Sequence, residues 1–361
     1  MSSGHFLVAA GGTGGHMVPA HAVARELESR GHRVSLITDA RGARLPGLFE
    51  GNARHIVDAA TIGRNPLKWP GAMWKIASGR RQAKKILSDD PALAVIGFGG
   101  YPVLPAMLSA AKAGVPTLIH EQNAVLGRVN RVLQSRVDAI ATSFAETRQL
   151  AAVEKATLTG NPVRADVAAL ADAPFPPFDD LLPLRILVLG GSLGATILSQ
   201  VVPQGLALLP LPLRQRLTVT QQAREEDISD VAAAYRDSGI PADLYTYMED
   251  VPSALARAHL FIGRAGASTI AELTAAGRPA ILVPLPIATD DHQAANTAEM
   301  VAAGGAAMLR QTAFTPEALA AQIAAMVAQP EALANAATCA KSVGRPDAAS
   351  RVADIAEALG Q

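Results

Sequence analysis

The amino-acid sequence predicts an α/β protein with parallel sheets. Short apolar runs typical of strands alternate with helical patterns along the whole chain of 361 residues, which indicates repeated strand–helix–strand units. Hydrophobic side chains make up 49% of the chain but aromatic ones only 4%, so Ala, Val, Leu and Ile must fill most of the core. Strands that are buried on both faces and covered by Ala-rich helices have this composition.

The chain opens twice in the same way, which predicts two Rossmann-like domains with a cleft between them. A strand run from Phe6 leads into "GGTGGH" and a helix, and a second from Ile186 leads into "GGSLGA" and another helix. A single hydrophobic core usually covers no more than about 250–300 residues, and the chain is longer than that. We place the boundary near Thr159–Val167, giving domains 1–163 and 164–344. The sequence leaves open which domain the last helical run, 345–361, packs on.

Ten apolar runs are predicted to form the strands of the two sheets. They are His5–Ala10, His32–Thr38, Ala92–Phe98, Val115–His120, Val137–Thr142, Leu184–Gly191, Arg216–Gln221, Ala242–Tyr247, Ala258–Gly263 and Pro279–Leu285. Two long uncharged stretches, 91–111 and 186–213, are interrupted by Gly and Pro. We therefore predict strand, loop and helix there and no transmembrane helix.

Composition argues against several classes of site. The 32 basic and 32 acidic side chains cancel, so no overall charge points to nucleic acid as a partner. Cys339 is the one cysteine, which excludes an internal disulfide and a multi-cysteine metal site. No two aspartates stand in an Asp-x-Asp pair, and we predict that neither a metal nor another cofactor is required.

The glycine-rich turns predict an anion-binding site, although they match neither of two common nucleotide-binding motifs. The dinucleotide fingerprint G-x-G-x-x-G fails, because the sixth position counted from Gly12 is Met17, and the second turn does not match either. The absence of a Gly-Lys pair excludes a Walker A loop. Unpaired N–H groups at a helix start still favour a phosphate. The alternative is that glycine only permits a tight turn.

The segment "GAST" in the second half predicts the start of a ligand-binding helix. Ser268 or Thr269 could cap this helix, and Glu272 follows one turn later, where its carboxylate could hold a ribose diol or only compensate the helix dipole. The segment "DDHQ" follows the strand "LVPLP", at the end of a parallel sheet where ligands collect.

Taken together, "GGTGGH", "GFGGYP", "HEQNAVLG", "TGNPVR", "GGSLGA" and "AGASTIAEL…PAILVPLP…DDHQAAN" resemble the MurG family of peptidoglycan N-acetylglucosaminyltransferases. The resemblance implies a GT-B fold, in which the parallel sheets of two Rossmann-like domains face a central cleft. It implies inverting transfer of N-acetylglucosamine from UDP-GlcNAc to the C4 hydroxyl of undecaprenyl-pyrophosphoryl-MurNAc-pentapeptide. The first domain would bind this acceptor and an anionic membrane surface, at the cytoplasmic face of the inner membrane, and the second would bind UDP-GlcNAc.

The same resemblance assigns substrate-binding residues motif by motif. Asn123 would contact the region of the donor sugar, Met248 the uracil through its backbone, and Gln293 the sugar hydroxyls. Arg164 and the helix start at Ser192 would neutralise the charge that develops on UDP. The remaining assignments are a donor-side turn at Thr13, Gly14 and Gly15, and a donor-site lining of Ala267, Ser268, Thr269, Ile270, Ala271 and Glu272.

His16 is the predicted general base, because histidine ordinarily exchanges a proton near neutral pH. The alternative is that His16 only hydrogen-bonds a phosphate or caps the helix. Glu121 is the reserve candidate for the base. As an acid beside Gln122 and Asn123, it could instead order the loop that follows it.

A basic segment with both tryptophans predicts membrane docking. Seven basic side chains and no acidic one lie between Arg64 and Lys85. Basic groups attract anionic lipids, and tryptophan enters the interface. The predicted docking residues are Trp69, Met73, Trp74, Lys75, Arg80, Arg81 and Lys84. The alternative is an ordinary amphipathic helix with its apolar face on the core.

Three other functions compete with the transferase. An enzyme like UDP-GlcNAc 2-epimerase would share the fold but would need no lipid and no basic–aromatic segment. An NAD-linked oxidoreductase is disfavoured by the failed fingerprint at both turns. A nucleotide-sugar sensor without activity would be expected to lack Arg164 or Glu272, and both residues are present.

Overall fold

The chain folds into two compact units, each built around one sheet. The computed structural model describes residues 3–12, 14–60, 69–179, 181–191 and 194–361, without the side chains of Trp69 and Pro330. The first unit comprises Met1–Arg164 and Pro346–Gln361, and the second comprises Ala165–Arg345.

The strands alternate with helices throughout the described residues. The strands are β1 (His5–Ala9), β2 (Arg33–Thr38), β3 (Ala53–Ile56), β4 (Ala94–Gly97), β5 (Thr117–Glu121), β6 (Ala139–Thr142), β7 (Ala156–Leu158), β8 (Leu184–Leu189), β9 (Leu217–Gln222), β10 (Ala242–Tyr245), β11 (Leu260–Gly263), β12 (Ala280–Leu282) and β13 (Ala306–Met308). The helices are α1 (Gly14–Ser29), α2 (Trp69–Asp89), α3 (Val103–Ala113), α4 (Arg128–Leu133), α5 (Ala165–Ala168), α6 (Thr196–Ala207), α7 (Leu211–Arg214), α8 (Ile228–Ser238), α9 (Val251–Arg257), α10 (Ala267–Ala276), α11 (His292–Ala302), α12 (Pro316–Met326), α13 (Pro330–Ser342) and α14 (Ala348–Leu359).

Both sheets are parallel and share one topology. Among the described residues, the first unit has a seven-stranded sheet in the order β3-β2-β1-β4-β5-β6-β7, and the second has a six-stranded sheet in the order β10-β9-β8-β11-β12-β13. The strand order reverses between β1 and β4 in the first sheet and between β8 and β11 in the second. Such switch points are where doubly wound sheets bind ligands, outside the carboxyl ends of the strands. The predicted fold class is confirmed.

Helices cover both faces of the first sheet. Alternate side chains of β1 point to opposite faces: Phe6 and Val8 pack with residues of α1 and α14, whereas Leu7 and Ala9 pack with residues of α2 and α3. All four side chains are fully buried. The strand is therefore apolar throughout, as a central parallel strand must be.

Each predicted strand run overlaps an observed strand, with β5 and β9 ending one residue later than predicted, but three observed strands were not predicted. These are β3, β7 and β13, and each forms an edge of its sheet. The side chains of β3 are mostly exposed, and no side chain of β7 or β13 is fully buried. An edge strand has a neighbour on one side only, so it lacks the continuous apolar run by which sequence indicates a buried strand.

The two uncharged stretches contain a strand, a turn and a helix, as predicted. Residues 91–111 hold β4 and most of α3, and residues 186–213 hold most of β8, all of α6 and part of α7. Within the part of the chain that the structure describes, no helix combines the length and the apolar character needed to cross a bilayer.

The C-terminal helix α14 is held on α1 by a charged network. Arg30 donates to Glu26 (2.9 Å), to Asp354 (2.7 Å) and to Glu357 (2.6 Å). His32 accepts from the backbone N–H of Gly4 through Nδ1, so its Nε2 carries the proton and donates to Glu357 over 2.8 Å. Burial raises the pKa of Glu357, but the hydrogen bonds from His32 and Arg30 outweigh it and hold the pKa below its usual range.

Replacing Arg30 should destabilise the first unit much more than replacing an exposed arginine of the same unit. Arg30→Ala leaves Glu357 and Asp354 without their main partner, and we expect a loss of about 2 kcal/mol in the free energy of unfolding. Arg33→Ala removes a surface pair with Asp90 and should cost less than about 1 kcal/mol. Urea unfolding of both variants measures the difference, and equal losses would contradict it.

Candidate functional site

Two glycine-rich loops meet at the switch point of the first sheet. One follows β1, and the other, with Gly99 and Gly100, follows β4. A Cβ atom on Gly100 would lie 2.7 Å from the carbonyl oxygen of Gly11, so the second loop needs glycine to approach the first. Asp39, just after β2, accepts hydrogen bonds from the backbone N–H of Gly12 (3.3 Å) and of Gly42 (2.8 Å). It thereby connects the loop after β1 with the segment after β2.

His16 lies in the first turn of α1, which follows the loop after β1. Its ring packs against Gly99, where an added Cβ would come within 2.8 Å of His16 Cε1 and where φ is +95°. Its Nδ1 lies 3.0 Å from Oε1 of Gln122, a residue that follows β5. Gly14 and Gly15 begin α1 and are exposed, whereas Thr13 lies outside the described residues.

Glu121 ends β5 with both carboxylate oxygens occupied. One oxygen accepts from the backbone N–H of Asn123 (3.0 Å), and the other accepts from the backbone N–H of Gly127 (2.7 Å) and from Nδ2 of Asn130 (2.9 Å). Glu121 as a whole is 2% exposed. This is the geometry of a residue that orders the following loop, which is the alternative that the sequence left open, and it does not support Glu121 as a base.

Asn123 and Arg164 also lie beyond the carboxyl ends of strands. Asn123 is half-buried, and its side-chain amide points back to Glu121 over 3.4 Å. Arg164 is half-buried and is the last residue of its stretch of the first unit. The structure thus brings His16, Asn123 and the start of α1 at Gly14 and Gly15 to the same edge of the first sheet.

The predicted residues of the second unit lie at the corresponding edge of the second sheet. Met248 follows β10, the run from Ala267 to Glu272 opens α10 after β11, and Gln293 opens α11 after β12. Gln293 accepts from the backbone N–H of Leu285 over 2.9 Å, so its amide oxygen is committed to its own loop. The turn after β8 leads to α6, which begins at Thr196, and Ser192 lies outside the described residues.

The prediction that Ser268 or Thr269 caps α10 is wrong. Gly266 occupies the N-cap position with an extended backbone, and no side chain caps the helix. Ser268 and Thr269 therefore belong to the first helical turn and are half-buried. Because Gly is an acceptable N-cap, the helix starts earlier than the hydroxyl residues suggest.

Two residues that the sequence did not single out connect the loops of the second unit. The half-buried Arg264, directly after β11, donates to the carbonyls of Val283 (3.1 Å) and Pro284 (3.3 Å) beyond β12. Asn296 of α11 donates back to the carbonyl of Ala265 over 3.2 Å. Burial lowers the pKa of Arg264. A basic residue directly after a buried strand, with no acidic neighbour in sequence, is the signal that could have identified it.

The surface of α2 is basic and partly apolar. Buried Ala72, Gly79, Ala83 and Leu87 face the rest of the unit. The larger apolar side chains Met73 (57% exposed) and Trp74 (66% exposed) face outward. We call Met73, Trp74, Lys75, Arg80, Arg81 and Lys84 the α2 surface, and all six are exposed. The core face of α2 thus consists of small residues and Leu87, and Met73 and Trp74 do not belong to it.

The described residues contain no group of three His, Cys, Asp or Glu side chains that could hold a metal ion. Each edge also carries the N-terminus of a helix, α1 after β1 in the first sheet and α10 after β11 in the second. At both edges the described geometry therefore suits an anionic ligand bound through N–H groups.

Two family models match most of the chain. Residues 6–142 match the glycosyltransferase family 28 N-terminal domain, and residues 185–355 match the glycosyltransferase family 28 C-terminal domain. The matched ranges cover the strands of both sheets except β7 and the first residues of β1 and β8.

Individual proteins are similar over the full length. A protein of Erythrobacter litoralis, named UDP-N-acetylglucosamine–N-acetylmuramyl-(pentapeptide) pyrophosphoryl-undecaprenol N-acetylglucosamine transferase, is 57% identical over 99% of this chain and 90% of its own. The crystal structure of Acinetobacter baumannii MurG superposes with a TM-score of 0.78 at 31% identity, covering 98% of this chain and 99% of that one. The UDP-GlcNAc 2-epimerase of Neisseria meningitidis, at 13% identity, TM-score 0.68 and coverage of 97% and 98%, shares the fold alone.

Proposed function

The chain belongs to glycosyltransferase family 28, and on that premise we propose that it makes the lipid-linked disaccharide of peptidoglycan. It transfers N-acetylglucosamine from UDP-GlcNAc to the C4 hydroxyl of undecaprenyl-pyrophosphoryl-MurNAc-pentapeptide, with inversion. The observation that carries this proposal is the 57% identity over 99% of the chain to a protein named for that reaction.

The first unit supplies the proton acceptor. The C4 oxygen of the acceptor forms a bond to C1 of N-acetylglucosamine while the bond from C1 to the phosphate oxygen breaks and its electron pair leaves with UDP. The hydroxyl proton passes to His16, whose ring is held by Gly99 and Gln122 at the edge of the first sheet. A positioned base of this kind typically contributes 10²- to 10⁴-fold.

The second unit binds the donor. Glu272 holds the ribose, Met248 meets the uracil through its backbone, and Gln293 binds sugar hydroxyls, with Ala267 to Ala271 lining the site. The hydrogen bonds of Arg264 and Asn296 connect the segment after β11 with the segment after β12. They therefore fix the positions of Glu272 and Gln293 relative to each other. Preorganised groups of this kind stabilise charge without reorganising during the reaction.

Arg164 neutralises the charge that develops on the leaving UDP, and Ser192 binds its phosphate; the helix that was expected to start at Ser192 begins at Thr196. In many transferases a divalent metal bound by an Asp-x-Asp pair neutralises this charge, and the sequence has no such pair. A guanidinium is well suited to the task, because it presents several N–H groups to a phosphate in a fixed plane. We accordingly propose that the reaction needs no metal.

Release of UDP tests the proposed reaction directly. The purified full chain is given UDP-GlcNAc in the presence of EDTA, with and without a soluble analogue of the lipid-linked acceptor. We expect UDP release that depends on the acceptor and persists in EDTA. Release without acceptor would indicate an epimerase or hydrolase, and no release even after Mg²⁺ is restored would contradict the transferase.

The α2 surface docks the enzyme on an anionic membrane at the cytoplasmic face, where a lipid-linked acceptor is presented. Five basic side chains and no acidic one lie between Trp69 and Lys85, and each contributes about 1 kcal/mol near an anionic surface. Met73 and Trp74 are already exposed, so they enter the interface without unfolding the core.

Binding to lipid vesicles checks this docking surface. We expect the chain to bind vesicles that contain phosphatidylglycerol and not vesicles of phosphatidylcholine alone. Arg80→Gln with Arg81→Gln should weaken binding about 30-fold, since two contributions of about 1 kcal/mol are lost, and Trp74→Ser should weaken it further. Leu211→Ser, which alters an exposed leucine of the second unit, is the control. Unchanged binding by the double variant would contradict the proposal.

A further inference from the structure

A chain of hydrogen bonds leads from His16 into the interior of the first unit. Nδ1 of His16 lies 3.0 Å from Oε1 of Gln122, and Nε2 of Gln122 lies 3.0 Å from Nδ1 of His120. Nε2 of His120 lies 3.0 Å from the carbonyl oxygen of Gly160. Gln122 is 2% exposed and His120 is 0% exposed, so solvent reaches this series of contacts only at the half-buried His16.

The contact between His120 and Gly160 determines which group donates and which accepts in each of these hydrogen bonds. A carbonyl oxygen only accepts, so His120 must carry its proton on Nε2 and donate it to Gly160. Burial lowers the pKa of His120 to about 4, so the ring is neutral near pH 7 and its Nδ1 is an acceptor. The amide nitrogen of Gln122 therefore donates to His120.

A second contact fixes the carboxamide of Gln122 independently. Its Nε2 also donates to the carbonyl oxygen of Phe98 over 2.8 Å. A flipped amide would place oxygen against the Phe98 carbonyl and against the lone pair of His120, which is repulsive at both contacts. The oxygen Oε1 must therefore face His16, and because it only accepts, Nδ1 of His16 must carry a proton.

We propose that Gln122 is a positioning residue that holds His16 as the Nδ1–H tautomer, so that Nε2 carries the lone pair that receives the acceptor proton. The proposal rests on the proposed function in taking His16 as the base. Neutral histidine in water favours the opposite tautomer, with the proton on Nε2, which could not accept a proton there. Gly99 completes the arrangement, because its missing side chain leaves the space in which the ring lies.

The tautomer can be read without any activity measurement. The full chain is labelled with ¹⁵N-histidine, and the ring of His16 is assigned by the loss of its signals in His16→Ala. In long-range ¹H–¹⁵N spectra at alkaline pH, we expect His16 Nδ1 to show the shift of a protonated nitrogen and Nε2 that of an unprotonated one. A proton on Nε2 in the folded wild-type chain would overturn the proposal.

Two substitutions then separate positioning from general support of the fold. Gln122→Met removes the acceptor, and we expect His16 to change to the Nε2–H tautomer and kcat to fall by up to about 100-fold, the least that loss of a positioned base would cost, with the KM for UDP-GlcNAc unchanged. Gln122→Glu retains an oxygen facing His16, and when its second oxygen is protonated and donates to the Phe98 carbonyl we expect the Nδ1–H tautomer to be kept. An unchanged tautomer in a folded Gln122→Met variant would overturn the role of Gln122, and if that variant does not fold, the wild-type spectrum alone decides.

The outcome is distinguishable from a failure of the proposed function. If the chain released no UDP while His16 showed the Nδ1–H tautomer, the transferase would be wrong and the positioning by Gln122 would stand. Acceptor-dependent release together with the Nε2–H tautomer would keep the transferase and overturn the positioning.

Discussion

The parallel pairing of all strands is the constraint on which the rest of the structure depends. In a parallel sheet every strand ends at the same edge, so the residues that follow different strands become neighbours although they are far apart in sequence. This brings His16 after β1, Gly99 after β4 and Gln122 after β5 to one edge of the first sheet. The same rule collects the segments that open α10 and α11 at one edge of the second sheet.

Loops at these edges are held by buried and half-buried polar side chains in addition to apolar packing. Glu121 uses both oxygens to bind the N–H groups of the loop after β5, and Arg264 does the converse with two carbonyls beyond β12. A buried polar group is costly unless it is hydrogen-bonded, so each of them strongly favours a single loop conformation. The side chains that are proposed to touch substrate therefore lie on loops, or on the first turns of helices, next to segments that other residues have already ordered.

The sequence could predict the features that depend on a local pattern, but not those that depend on contacts between distant residues. Central strands and glycine turns could be predicted, because burial on both faces and tight turns impose a local pattern. The edge strands β3, β7 and β13 could not, since their burial is incomplete. The cap of α10 was assigned to hydroxyl residues although Gly266 took that position. The contact between His16 and Gln122 joins residues 106 positions apart, and no pattern in either segment indicates it.

The central claim is that His16 is the proton acceptor of the transfer. The most direct test compares kcat of His16→Ala with that of His21→Ala. His21 is a half-buried histidine of the same helix, α1, and its ring packs on Phe49. We predict a fall in kcat of at least about 100-fold for His16→Ala, with unchanged affinity for UDP-GlcNAc, and a near wild-type kcat for His21→Ala. A His16→Ala enzyme that keeps the wild-type kcat would contradict the account.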